Sequence, residues 1–157
     1  MTVHAASPRG IAGTCLIETA EGPVPIAETP GKGFAVLTRL PSGRLGFRQF
    51  LKVLASGPVP LVRVVLDSGH TALTAPGHLF YRCGMEPVAA ADLAAGDLLE
   101  TAFNYPPGYA PPDAAAPQIG AAIAVRAVEP AGEGHVFTGT VRDTHALFLT
   151  AGILCGE

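Results

Sequence analysis

Residues 59–81 read VPLVRVVLDSGHTALTAPGHLFY, and this stretch limits the fold more than any other. Two apolar runs, 59–66 and 71–81, flank Asp67-Ser68-Gly69. Asp, Ser and Gly supply turn geometry, and the β-branched residues on either side favour strands, so the spacing predicts a β-hairpin. The second strand bends at Ala75-Pro76-Gly77, and the bend delivers His78 in a fixed direction. A histidine so placed either satisfies a backbone group or faces something that reacts.

The rest of the chain is punctuated in the same manner. With 19 Gly and 15 Pro in 157 residues, long helices are disfavoured and short strands joined by tight turns are favoured. Residues 1–10 read as a flexible leader and 11–157 as a single domain. Strands are expected over 11–19 (which holds Cys15), 34–40, 45–55, 98–103, 119–128 and 135–141, and over 146–155 with a bend at Gly152. One or two helical turns fit 89–95, and 104–118, dense in Pro and Ala, reads as a surface loop. An internal echo is also present. Gly22-x-x-Pro25 leads to Gly33 and an apolar strand, and Gly84-x-x-Pro87 leads to Gly96 and another. The echo implies two similar β subunits about a pseudo-two-fold axis.

Composition removes several classes of function. A net charge of −3 offers no electrostatic footprint for nucleic acid or an anionic membrane. No stretch reaches the apolar length of a membrane span, and MTVHAASPRG lacks the core of a signal peptide. Three cysteines, Cys15, Cys83 and Cys155, cannot all pair internally, which argues for a reducing, cytoplasmic setting. Cys15, His78, Cys83, His145 and Cys155 are metal-ligand types, but no Cys-x-x-Cys or His-x-x-x-His spacing is present, so neither metal nor cofactor is expected.

Four pieces in order carry a family resemblance. They are Gly13-Thr14-Cys15-Leu16-Ile17-Glu18-Thr19 with Pro25-Ile26 and Val36-Leu37-Thr38; Ser68-Gly69-His70 with Leu73-Thr74 and His78-Leu79; Glu86-Pro87-Val88 through Leu93 with Gly96-Asp97-Leu98-Leu99; and Thr140-Val141-Arg142-Asp143-Thr144-His145 with Gly152-Ile153-Leu154. In this order the chain resembles the Hint family, the fold of Hedgehog autoprocessing domains and inteins. The resemblance implies an all-β, horseshoe-like fold with pseudo-two-fold subunits. It also implies self-directed acyl transfer, in which a first-position cysteine attacks the preceding carbonyl and the amide becomes a thioester. The substrate would be the domain's own polypeptide.

Carried over by motif, Cys15 would attack the carbonyl of Thr14, His78 would protonate the leaving nitrogen, and Thr74 would orient the histidine or the carbonyl. His145, following Asp143, would assist as the family's later histidine. The pattern also departs from the family. Gly13-Thr14 precedes Cys15, where the family places Gly-Thr about four residues after its cysteine. If Gly-Thr sets the register, the nucleophile position falls near Arg9 or Gly10 and is empty. Cys155-Gly156-Glu157 stands where an intein ends His-Asn, and Glu cannot cyclise as Asn does. Splicing is therefore not expected. Cleavage at Thr14-Cys15, or a degenerate module with a structural or binding role, are the two readings left.

Overall fold

The computed structural model describes residues 8–105 and 120–157. Residues 1–7 of the expected leader and nearly all of the Pro-rich loop lie outside the described residues. The rest is all-β: twelve strands, two short 3-10 turns, and no α-helix among the described residues. Among the described residues, no helix is long and apolar enough to cross a membrane.

Two strands of 22 residues, β5 (Leu45–Leu66) and β10 (Gly120–Val141), form the spine. They pair antiparallel from Val125 opposite Leu66 to Val141 opposite Phe50. The sequence divides each into two shorter strands, because Gly and Pro ordinarily interrupt a ladder. Here they do not end the strands. Register shifts between Pro130 and Glu133 and between Gly134 and Val136 act as bulges, which bend the pair and absorb those residues.

The internal echo corresponds to repeated architecture. In the first copy β2 (Leu16–Thr19) turns into β3 (Gly22–Pro25), followed by a 3-10 turn at Ile26–Glu28, β4 (Ala35–Arg39) and β5. In the second, β7 (Leu79–Arg82) turns into β8 (Glu86–Ala89), followed by a 3-10 turn at Ala90–Asp92, β9 (Leu98–Tyr105) and β10. Pairing corrects the register of the echo. Val24 faces Ile17 and Val88 faces Phe80, so Pro23-Val24, not Pro25, is the counterpart of Pro87-Val88. The helical turns expected over 89–95 shorten to that second 3-10 turn.

The expected strand over 11–19 is also broken. β1 (Ile11–Ala12) ends in a turn, closed by the Cys15 N–H donating to the Ala12 carbonyl at 2.9 Å, before β2 begins. The expected final strand is a hairpin, β11 (Ala146–Phe148) with β12 (Leu154–Gly156), because Gly152 takes φ +95°. β1 lies centrally: Ile11 pairs with Phe137 of β10 on one side and with Thr74 of β6 (Thr71–Thr74) on the other. Ile11, Ile17, Phe50 and Phe80 are buried in one core cluster. Each such side chain contributes roughly 2–3 kcal/mol by leaving water. The residue that precedes β1 is therefore drawn into the centre of the sheet.

Candidate functional site

β5 and β6 form the expected hairpin, with Val65 opposite Thr71. After β6 the chain bends through Ala75-Pro76-Gly77, and His78 donates its backbone N–H to the Ala75 carbonyl at 3.1 Å. The second 3-10 turn braces the bend: Ala90 N–H donates to the His78 carbonyl at 2.9 Å and Ala91 N–H to the Pro76 carbonyl at 3.0 Å. The imidazole is thus held from both sides and is 1% exposed.

The end of the supposed leader occupies the other side of the bend. Gly77 N–H donates to the Pro8 carbonyl and Ala75 N–H to the Gly10 carbonyl, each at 2.9 Å. Gly10 in turn donates its N–H to Nδ1 of His78 at 3.1 Å. The nitrogen of the Arg9-Gly10 peptide bond therefore sits on the imidazole. Residue 10 must be glycine here. Its φ is +131°, and a Cβ would lie 2.7 Å from both Cβ and Cγ2 of Val136 on β10. Neither signal for this contact lies near His78 in the chain. The Gly13-Thr14 register points to Arg9 or Gly10, but nothing marks Val136.

Because Nδ1 accepts from Gly10, the proton of the neutral ring is on Nε2. Burial drives the His78 pKa down to about 4; the nearby Gly156 backbone opposes this and the Arg9 charge adds to it. Nε2 itself is buried and makes no hydrogen bond of ordinary geometry among the described residues. The ring is neutral near pH 7 and cannot readily give a proton to the nitrogen it holds.

Cys15 stands elsewhere. It lines a cavity of about 370 Å³ with Thr14, Arg63, His70, Leu73 and Thr150, whereas His78 lines one of about 230 Å³ with Arg9, Tyr81, His145 and Glu157. Burial raises the Cys15 pKa, with the Leu73 backbone opposing, so the thiol is not activated. Thr74 is buried and donates its hydroxyl to the Ala75 carbonyl at 3.0 Å. His145 shares the His78 cavity, and its Nδ1 lies 3.0 Å from Oε1 of Glu157. Asp143 turns away, paired with Arg48 at 3.1 Å and bordering a different cavity of about 590 Å³ beside Arg39 and Glu100. The structure thus brings His78 and His145 together with Arg9 and Gly10, where the Gly-Thr register points, and with the unpredicted Tyr81 and Glu157, and leaves Cys15 and Asp143 in other cavities. Among the described residues, no three His, Cys, Asp or Glu side chains converge as metal ligands would.

No family model and no curated protein matches the sequence. Solved structures do match its shape. The DnaB intein from Synechocystis superposes with a TM-score of 0.74 at 16% identity, over 96% of this chain and 99% of that one. The bacterial intein-like domain from Clostridium thermocellum gives 0.74 at 20% identity, over 95% and 98%. The DnaX mini-intein from Spirulina platensis gives 0.73 at 19%, over 94% and 99%. At such identities the likeness speaks for architecture, and it covers both β subunits and the strand that joins them. The chain therefore has the fold of the intein-like Hint domains.

Proposed function

We propose that this domain does not process itself, and that the Arg9-Gly10 peptide serves as a structural latch at the place where active relatives would cleave. One observation carries the reading: the peptide nitrogen on His78 belongs to a glycine, packed so that no side chain fits. A thioester requires a sulfur next to the carbonyl it attacks and a group able to protonate the leaving nitrogen. Gly10 supplies no sulfur. Cys15 lies in a different cavity from His78, and its thiol has a raised pKa. The function that fits is a module kept for its shape or its surface.

The test is the intact mass of the full chain carrying an extension before Met1, incubated with and without hydroxylamine or a strong thiol. The expected mass is unchanged in every condition, for the parent and for Cys15→Ala alike. Release of a fragment ending at Thr14, abolished in Cys15→Ala, would restore the thioester route. Release of one ending at Arg9 would show that the latch is reactive.

A further inference from the structure

The cavity beside His78 contains donors that make no hydrogen bond of ordinary geometry among the described residues. Nε2–H of His78 is buried and unpaired. The Tyr81 hydroxyl and the exposed Arg9 guanidinium border the same space, and neither has a hydrogen-bond partner among the described residues. The acidic group present does not answer them. Glu157 is already committed, Oε1 to His145 at 3.0 Å and Oε2 accepting from Val141 N–H at 2.6 Å. The space itself comes from Gly156, where a Cβ would approach Cε1 of His78 to 4.0 Å and Cβ of Leu79 to 3.6 Å.

We propose that this cavity of about 230 Å³ binds a small monocarboxylate, received by Nε2–H of His78, the Tyr81 hydroxyl and the Arg9 guanidinium. Three donors, one of them on a neutral imidazole, call for an acceptor, and the guanidinium calls for an anion. The Glu157 carboxylate on the cavity wall opposes a second negative charge, so a monoanion is preferred to phosphate. The volume admits a short organic acid but not a polymer. This inference rests on the latch being uncleaved, since scission before Gly10 would separate Arg9 from the site.

The experiment uses the full chain labelled with ¹⁵N-histidine at pH 7, titrated with sodium acetate at constant ionic strength against chloride. A saturable shift of the His78 Nε2 resonance is expected, with weaker binding of inorganic phosphate. Arg9→Met, at an exposed position, should weaken acetate about tenfold, the loss of one charge-assisted contact. Gly156→Val should abolish binding by filling the space, and its unchanged amide spectrum would show that the fold is kept. A shift that does not saturate, equal binding of phosphate, or saturation unaffected by both variants would overturn the proposal. The intact mass of the same sample reports cleavage separately, so failure of the latch and failure of the site are told apart.

Discussion

At the bend over residues 75–78, the backbone is tied down from both sides. Pro8 and Gly10 accept from Gly77 and Ala75, Ala90 and Ala91 donate to His78 and Pro76, and Gly10 completes the ring's Nδ1. At the turn over 13–15, Cys15 closes its own turn on Ala12 and receives Ile26 N–H, while its thiol lies half-buried with an unactivated pKa. The expected chemistry needs both places equally, yet only the first is fully built. A peptide nitrogen held on an imidazole anchors the segment entering the centre of the sheet, so it stabilises the fold whether or not any bond breaks. A thiol whose pKa is raised by burial contributes chiefly its packing. Parts of a reactive site that also support the fold can outlast the reaction.

Substitution at position 10 should break this comparison most sharply. Gly10→Ala places a Cβ against Val136 at a φ that L-residues rarely adopt, and strain plus overpacking should cost about 4 kcal/mol in urea denaturation. The whole stability of a domain of this size is roughly 5–15 kcal/mol. Val136→Ala in the same chain should return part of the loss, because it removes Cγ2, one of the two side-chain atoms that the new Cβ meets. A neutral Gly10→Ala would mean that the latch does not hold the segment.

Acid tests the same latch through His78. Its native pKa of about 4 lies below the ordinary value of 6.5. As pH falls through 6.5 the unfolded chain takes up a proton that the native ring refuses until about pH 4. The associated stability is therefore complete above pH 6.5 and is lost on the way down to pH 4, by about 3 kcal/mol. His78→Gln, whose amide oxygen can accept from Gly10 without titrating, should flatten that part of the profile. An identical slope in the variant would place the acid sensitivity elsewhere.

How much of this was legible follows from how local each signal is. Asp67-Ser68-Gly69 and Ala75-Pro76-Gly77 act within a few residues, so the hairpin, the bend and His78 can be read directly from the chain. The continuity of β5 and β10 cannot, because the bulges that let Pro130 and Gly134 sit within a strand depend on the partner strand. The echo was visible but displaced, since several Gly and Pro offer competing registers that only pairing resolves. At the site, Gly13-Thr14 placed the empty position near Arg9 or Gly10. What keeps residue 10 a glycine is Val136, which arrives from β10 and leaves no mark near residue 10.

Cys15 sharpens the other side of the comparison. Cys15→Ala should cost about 1 kcal/mol or less, the loss of one partly buried sulfur and its weak contact with the Leu73 backbone. Alkylation at pH 8 followed by peptide mass analysis should modify Cys83, which is exposed, ahead of Cys15 and buried Cys155. If Cys15 reacted first, its thiolate would be stabilised by its surroundings, and the contrast between the two turns would collapse.

The smallest effect belongs to Asp143. Its ion pair with Arg48 spans 3.1 Å between side chains 64% and 37% exposed, so water and salt screen it. Asp143→Asn should therefore cost no more than about 0.5 kcal/mol. Asp143→Ala should cost more, by about 1 kcal/mol, because φ is +68° and Asn tolerates that conformation where Ala does not. The backbone, more than the charge, is then what residue 143 contributes: it turns the chain so that His145, itself at φ +55°, reaches Glu157. Were Asp143→Asn the more damaging of the two in thermal denaturation, the carboxylate would matter in its own right. The turn over 142–145 would then belong with the fully built bend at His78, and not with the inert turn at Cys15.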